Sequence, residues 1–155
     1  MPKKIPFVPK GDAVLNPYLA VKGAKEAIRW YTKVLGGKFL YQIDMPGGHI
    51  GHAEIDFGGI KLMLADEQPA WGNLSPKSIG GSPVTMHLYV KDVDKTYRKA
   101  LAAGATSQME PRTEFYGNRA CNITDPFGHR WMITTQVEVV PVKEMKKRAK
   151  KLFGG

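Results

Sequence analysis

Two spacings of apolar residues alternate along the chain. Val14 to Val21 (Val-Leu-Asn-Pro-Tyr-Leu-Ala-Val) has the content of a strand, and Pro17, which has no N–H to give a ladder, places it at an edge or a bulge. Lys22-Gly23 breaks it. Ala27, Ile28, Tyr31, Val34 and Leu35 then recur on one helical face, predicting a helix over 24–35 that Gly36-Gly37 ends. Strand-like segments follow at 39–45, 49–57 and 60–65, with turn chemistry in Pro46-Gly47-Gly48 and Gly58-Gly59. The order is β-α-β-β-β. It returns downstream as a strand over 85–90, a helix over 93–103 closed by Gly104, a short strand over 106–109, and hairpin strands over 119–124 and 129–136.

The segments around these two units read differently. Residues 1–12 hold three prolines and three lysines and form an extended arm. Residues 67–83, rich in Pro and Gly, form a linking loop long enough to be functional or to let units exchange between subunits. Residues 141–155 form a basic helix in which Val142, Met145, Ala149, Leu152 and Phe153 share an apolar face, suited to docking on its own unit or on a partner subunit.

The recurrence is an internal duplication. Asp125-Pro126-Phe127-Gly128-His129-Arg130-Trp131-Met132 joins Asp-Pro-x-Gly turn chemistry to a strand. Its echo is Asp56-Phe57-Gly58-Gly59-Ile60-Lys61-Leu62-Met63, 69 residues upstream. Trp30, Tyr31 and Trp131 are assigned to the core, and His129, at the turn, to the surface.

Composition narrows the function classes. Hydrophobic residues make up 43% and charged residues 24%, so neither a disordered nor a membrane-embedded chain is indicated. No apolar run approaches a membrane span, and the first residues lack the apolar stretch of a signal peptide, so a cytoplasmic address is expected. The formal charge of +9 raises nucleic acid as a partner. The only dense basic run is 143–151, without interleaved aromatics, so none is expected, although the charge steers anions toward the protein. The single cysteine, Cys121, reads as a small apolar strand residue.

These features resemble one family. The paired β-α-β-β-β units, Ala27-Ile28-Arg29-Trp30-Tyr31, Gly81-Ser82-Pro83 and the Asp125–Trp131 segment are similar to the glyoxalase/bleomycin-resistance/dioxygenase proteins, the vicinal oxygen chelate superfamily. Pro17-Tyr18-Leu19 and Lys143-Glu144-Met145 resemble its PhnB-type branch. The resemblance implies an α+β fold in which two tandem βαβββ modules, 13–66 and 84–140, form curved sheets around a cavity. It also implies a homodimer. The family's metal enzymes place a ligand on the first and last strand of each module. Those positions match Asn16 and Met63 in the first module, and Thr85 and Met132 in the second. An amide, a hydroxyl and two thioethers suit a hard or borderline divalent cation poorly. The expectation is therefore a cavity without the shared metal and without a cofactor.

The function that follows is binding of a small aromatic or anionic molecule. Asn16, Tyr18, Lys61, Met63, Thr85, His87, Tyr89, Arg130 and Met132 have the parity of the cavity side. Trp71, Phe115 and Tyr116 lie on nearby loops, and such rings can clamp a planar ligand. Lys61, Arg112, Arg119 and Arg130 are candidates for an anion contact. The alternative is a lyase, isomerase or dioxygenase-type enzyme of the same superfamily. It would use a divalent metal held by atypical ligands such as His52, Glu54 and His87, or acid-base chemistry with His87 as the base. His52 and Glu54 are better explained as polar residues of a solvated or ion-paired sheet face, with Glu54 facing Lys61 across the hairpin.

Overall fold

A computed structural model describes residues 5–154, so the first four residues of the arm lie outside it. The chain divides into two compact units, Met1–Gly81 and Ser82–Gly155. In the first unit the order is β1 (Tyr18–Val21), α1 (Ala24–Lys33), β2 (Lys38–Asp44), β3 (Ile50–Asp56), β4 (Lys61–Asp66) and a helical turn, α2 (Pro76–Ile79). The second runs β5 (Thr85–Tyr89), α3 (Val93–Ala102), β6 (Thr106–Thr113), β7 (Asn118–Thr124), β8 (Arg130–Gln136) and α4 (Val142–Phe153). Each unit holds one open four-stranded sheet, in the orders β1-β4-β3-β2 and β5-β8-β7-β6. The fold is α+β, two tandem βαβββ modules. Among the described residues, no helix is long and apolar enough to cross a membrane.

The helices cover one face of each sheet because the apolar residues alternate there. In the first unit Ala53 pairs with Leu64 and Ile55 with Leu62, all four are buried, and α1 packs against β3 and β4 with Ala27, Ile28 and Tyr31. In the second, Cys121, Ile123, Trp131 and Ile133 lie in the core with Val93 and Ala100 of α3. Burial pushes the Cys121 thiol up to about 11, as expected of an inert core residue. β1 is an edge strand that begins at Tyr18, later than the Val14 start the pattern indicates, with Pro17 just ahead of it. The end of β4 caps α1: Asp66 accepts the N–H groups of Gly23 and Ala24 at 3.1 and 2.8 Å and that of Ile50 at 2.8 Å. Thr135, at the same place in β8, accepts from Val93 N at the start of α3.

Three local expectations change. β6 is longer than the sequence pattern indicates and runs through Pro111. It is an edge strand with register shifts, where a missing N–H is tolerated. The linking loop contains α2 and a bridge between Gln68 and Asn73. His129 is buried, at 7% exposure, rather than on the surface. The cause is Asp125, whose carboxylate accepts Phe127 N, His129 N and Trp131 Nε1 at 2.8–2.9 Å and draws the turn inward. Its counterpart Asp56 accepts only the N–H groups of Gly58 and Gly59, in an exposed turn.

Hydrogen bonds to a charged, buried acceptor are worth more than the same bonds in water. Asp125→Ala should therefore lower stability by about 3 kcal/mol and Asp56→Ala by about 1 kcal/mol. Chemical denaturation of the two variants measures this. Equal losses would show that burial of the turn does not matter.

Candidate functional site

The face of the first sheet turned away from α1 carries the chemistry. Strand alternation places Lys61, Met63 and Ala65 of β4 there, with Glu54 opposite Met63 and Tyr41 opposite Glu54. Tyr18 of β1 stands beside Met63, and His52 of β3 pairs with Ile43 of β2. Between Ile43 and Asp44 the register shifts, and Gly51 lies at this irregularity. A Cβ at Gly51 would fall 2.5 Å from Met45 Cγ, so only glycine lets Met45 lie against the strand. A cavity of about 400 Å³ opens here, lined by Tyr18, Ile43, Met45, Gly51, His52, Ala65, Gln68, Trp71 and Asn73. Trp71 is 76% exposed and projects from the linking loop.

A continuous polar chain runs from the cavity wall into the sheet. Tyr18 Oη lies 2.9 Å from His52 Nδ1, and His52 Nε2 lies 3.2 Å from Glu54 Oε1. Tyr41 donates its hydroxyl to the same Glu54 oxygen at 2.9 Å. Lys61 Nζ sits 3.0 Å from Glu54 Oε2 and also pairs with Asp12 of the arm. Burial pushes the Glu54 carboxyl up, but hydrogen bonds from Lys61, His52 and Tyr41 outweigh it and leave it below the usual range. Bonds to Asp12 and Glu54 hold the Lys61 ammonium well above its ordinary value. Burial raises the Tyr18 phenol, and its bond to Glu54 raises the Tyr41 phenol, so both keep their protons. The charges assign the histidine tautomer: Nε2–H donates to the Glu54 carboxylate, and Nδ1 accepts from Tyr18.

This arrangement revises several sequence expectations. Tyr18 and Trp71 do line one cavity. Lys61 does not line it, because two carboxylates hold its charge, so it offers no free anion contact. Asn16 does not line it either: its Nδ2 donates to Ala13 O at 2.7 Å and its Oδ1 accepts Lys61 N at 3.0 Å, tying the arm to β4. Gln68 and Asn73, which the sequence does not single out, line the cavity, and so does His52, which it offers only as a metal ligand or a sheet-face residue. The Gln68 and Asn73 flanks of the Trp71-Gly72 turn were the available signal. Asp12 has no sequence signal, since only the fold brings the arm to Lys61.

In the second unit, Thr85 pairs with Arg130, His87 with Met132 and Tyr89 with Thr134. His87 Nε2 lies 3.0 Å from the buried Thr134 hydroxyl, and its ring meets Tyr89 edge-on at 4.7 Å. Phe115 packs edge-on against Tyr116 at 5.2 Å and Phe153 of α4 at 5.9 Å. Arg148 fastens α4 by donating to Phe115 O and to the carboxylates of Glu138 and Glu144. Burial, with Glu114 nearby, raises the Tyr116 phenol. Arg119 is bound to Asp94 through two hydrogen bonds and Arg112 to Glu114, so neither is a free anion contact.

The metal positions implied by the resemblance can be placed within each unit. Register places Met63 beside Tyr18 and Met132 beside His87, whereas Asn16 is committed to backbone and Thr85 stands beside Arg130. The four positions themselves offer a hydrogen-bonded amide, a hydroxyl and two thioethers, donors that hard and borderline divalent cations do not favour. Of the alternative set, His52 and Glu54 meet in the first unit, and His87 lies on β5 of the second. Among the described residues, no three His, Cys, Asp or Glu side chains form a metal-ligating group.

Paired βαβββ modules of this topology define a class, and sequence comparison places the chain within it. The profile of the Glyoxalase/Bleomycin resistance protein/Dioxygenase superfamily matches residues 13–133, and the chain belongs to that superfamily. It is 36% identical over 138 residues to "Uncharacterized protein Mb0911c" of Mycobacterium bovis, covering 87% of this chain and 91% of that one. Protein PA1353 from Pseudomonas aeruginosa has a similar structure, with a TM-score of 0.64 and 27% identity, covering 79% of this chain and 96% of that one. The PhnB protein from Bacillus cereus shares the fold, with a TM-score of 0.60 and 17% identity, covering 79% and 99%.

One pH dependence follows from the loop that carries Trp71. Glu67 accepts Ser75 N at 2.9 Å and the Ser78 hydroxyl at 2.8 Å, with Lys22 at 3.5 Å. The Ser75 backbone bond is the main cause that lowers its carboxyl from 4.5 to about 2. A depressed carboxyl stabilises the loop fully above its ordinary value, and the contribution is lost as pH falls through about 2. Acrylamide quenching of Trp71 should therefore hold steady from neutral pH to about 4.5 and rise toward 2, with Glu67→Gln showing the acid behaviour already at neutral pH. Identical quenching in both proteins at neutral pH would contradict this.

Proposed function

We propose that the protein binds a small aromatic molecule in the cavity of the first unit and does so without the metal of its family's enzymes. The observation that carries this reading is an exposed Trp71 sharing a cavity wall with Tyr18 and His52. The volume lies in the range of small-molecule sites. Ile43, Met45 and Ala65 supply apolar contact, while Gln68, Asn73 and the Tyr18–His52 pair supply polar groups that fix orientation. The lining includes no lysine or arginine, which favours a neutral or weakly acidic ligand over a strong anion. The net charge of +9 still draws acidic molecules toward the protein.

A homodimer belongs to the same proposal. Phe39, Leu40, Tyr41 and Ile43 leave the edge strand β2 apolar and exposed, a surface suited to a second copy. Cytoplasmic residence is supported by a lone, buried thiol with no disulfide partner. Calorimetric titration with p-nitroanisole, a neutral planar probe, tests the cavity. The expected result is saturable binding that Trp71→Ala weakens about tenfold, or about 1.4 kcal/mol. Unchanged affinity in that variant, or no saturable heat with the native protein, would refute the reading.

A further inference from the structure

We propose that Tyr18, His52 and Glu54 form a proton relay that ionises a weakly acidic aryl hydroxyl bound in this cavity. The inference rests on the binding reading above and adds a reaction to it. Glu54 is 6% exposed and anionic, and it holds the Nε2 proton of His52. That leaves Nδ1 as the ring atom able to take another proton, and the Tyr18 oxygen lies 2.9 Å from it. Tyr18 is half exposed and lines the cavity, and its oxygen lies 2.9 Å from His52 Nδ1.

The step balances. The ligand O–H bond breaks, and its proton passes to the Tyr18 oxygen. The Tyr18 proton moves to His52 Nδ1. The products are an aryloxide, hydrogen-bonded by Tyr18, and an imidazolium held between Tyr18 and Glu54. No oxidant or further reactant is required.

The surrounding charges favour that product. The groups around His52 are Tyr18 from β1, Tyr41 from β2, Glu54 on its own strand, Lys61 from β4 and Asp12 from the arm. Asp12 and Glu54 are each −1, Lys61 is +1 and the phenols are neutral, so the cluster carries one excess negative charge. An imidazolium at His52 is held by that charge, and the aryloxide formed with it leaves the total charge unchanged. The relay also explains why a histidine and a buried glutamate share this face, where packing alone would be met by apolar residues.

The test uses the full chain with two probes: p-nitrophenol, which is yellow only when ionised, and p-nitroanisole, which has no acidic proton. Bound p-nitrophenol should ionise about one pH unit below the free phenol, as expected for a neighbouring opposite charge. Tyr18→Phe and His52→Gln should abolish the shift of the bound probe at saturating concentration, with circular dichroism and thermal unfolding reporting that both variants are folded. A bound phenol that ionises at or above the pH of the free one overturns the relay. So does a shift that survives His52→Gln. Binding of p-nitroanisole with no shift for p-nitrophenol defeats the relay alone, whereas failure of both probes to bind defeats the binding reading with it.

Discussion

Glu54 is a carboxylate placed near the middle of a sheet, and the open face of the first unit depends on how it is kept charged. Burial alone would raise its carboxyl. Lys61 from the neighbouring strand, with Tyr41 and His52, supplies enough hydrogen bonding to keep it ionised. That arrangement has consequences in two directions. Toward the arm, Lys61 reaches Asp12 and ties residues near the start of the chain to the sheet. Toward the cavity, Glu54 fixes the tautomer of His52 and so the direction of the Tyr18 hydroxyl. A single ion pair thus connects the anchoring of the N-terminal segment to the polarity of a binding surface.

The duplication makes the two units informative controls for each other. Equivalent positions keep the backbone jobs: Asp66 and Thr135 both serve a helix start, and Asp56 and Asp125 both close the turn before the last strand. The face chemistry has diverged. Across from Met63 stands Glu54, and across from Met132 stands Asn122. Beside Met63 stands Tyr18, and beside Met132 stands His87. The second unit therefore has a histidine bonded to a threonine, where the first has a histidine bonded to a buried carboxylate.

Much of this fold is legible in the sequence because its signals are local. Helix stripes, glycine turns and the 69-residue echo depend on near neighbours, and they place the elements and the core aromatics Trp30, Tyr31 and Trp131. The site was less legible because its parts are not local. Asp12 meets Lys61, and Tyr18 meets His52, only after β1 docks beside β4. Strand parity correctly grouped Tyr18, Lys61 and Met63 but could not show which side chains cancel one another, so Lys61 read as a free cation. His129 failed for a similar reason: a turn residue normally faces water, and only the triple acceptance by Asp125 draws it inside.

A crystal structure of the protein soaked with p-nitroanisole and a divalent cation tests the central claim most directly. The account predicts aromatic density against Trp71 and Tyr18, with Glu54 still paired to Lys61 and no cation bound at Met63. A cation coordinated by Glu54 and His52, with Lys61 displaced, would contradict it.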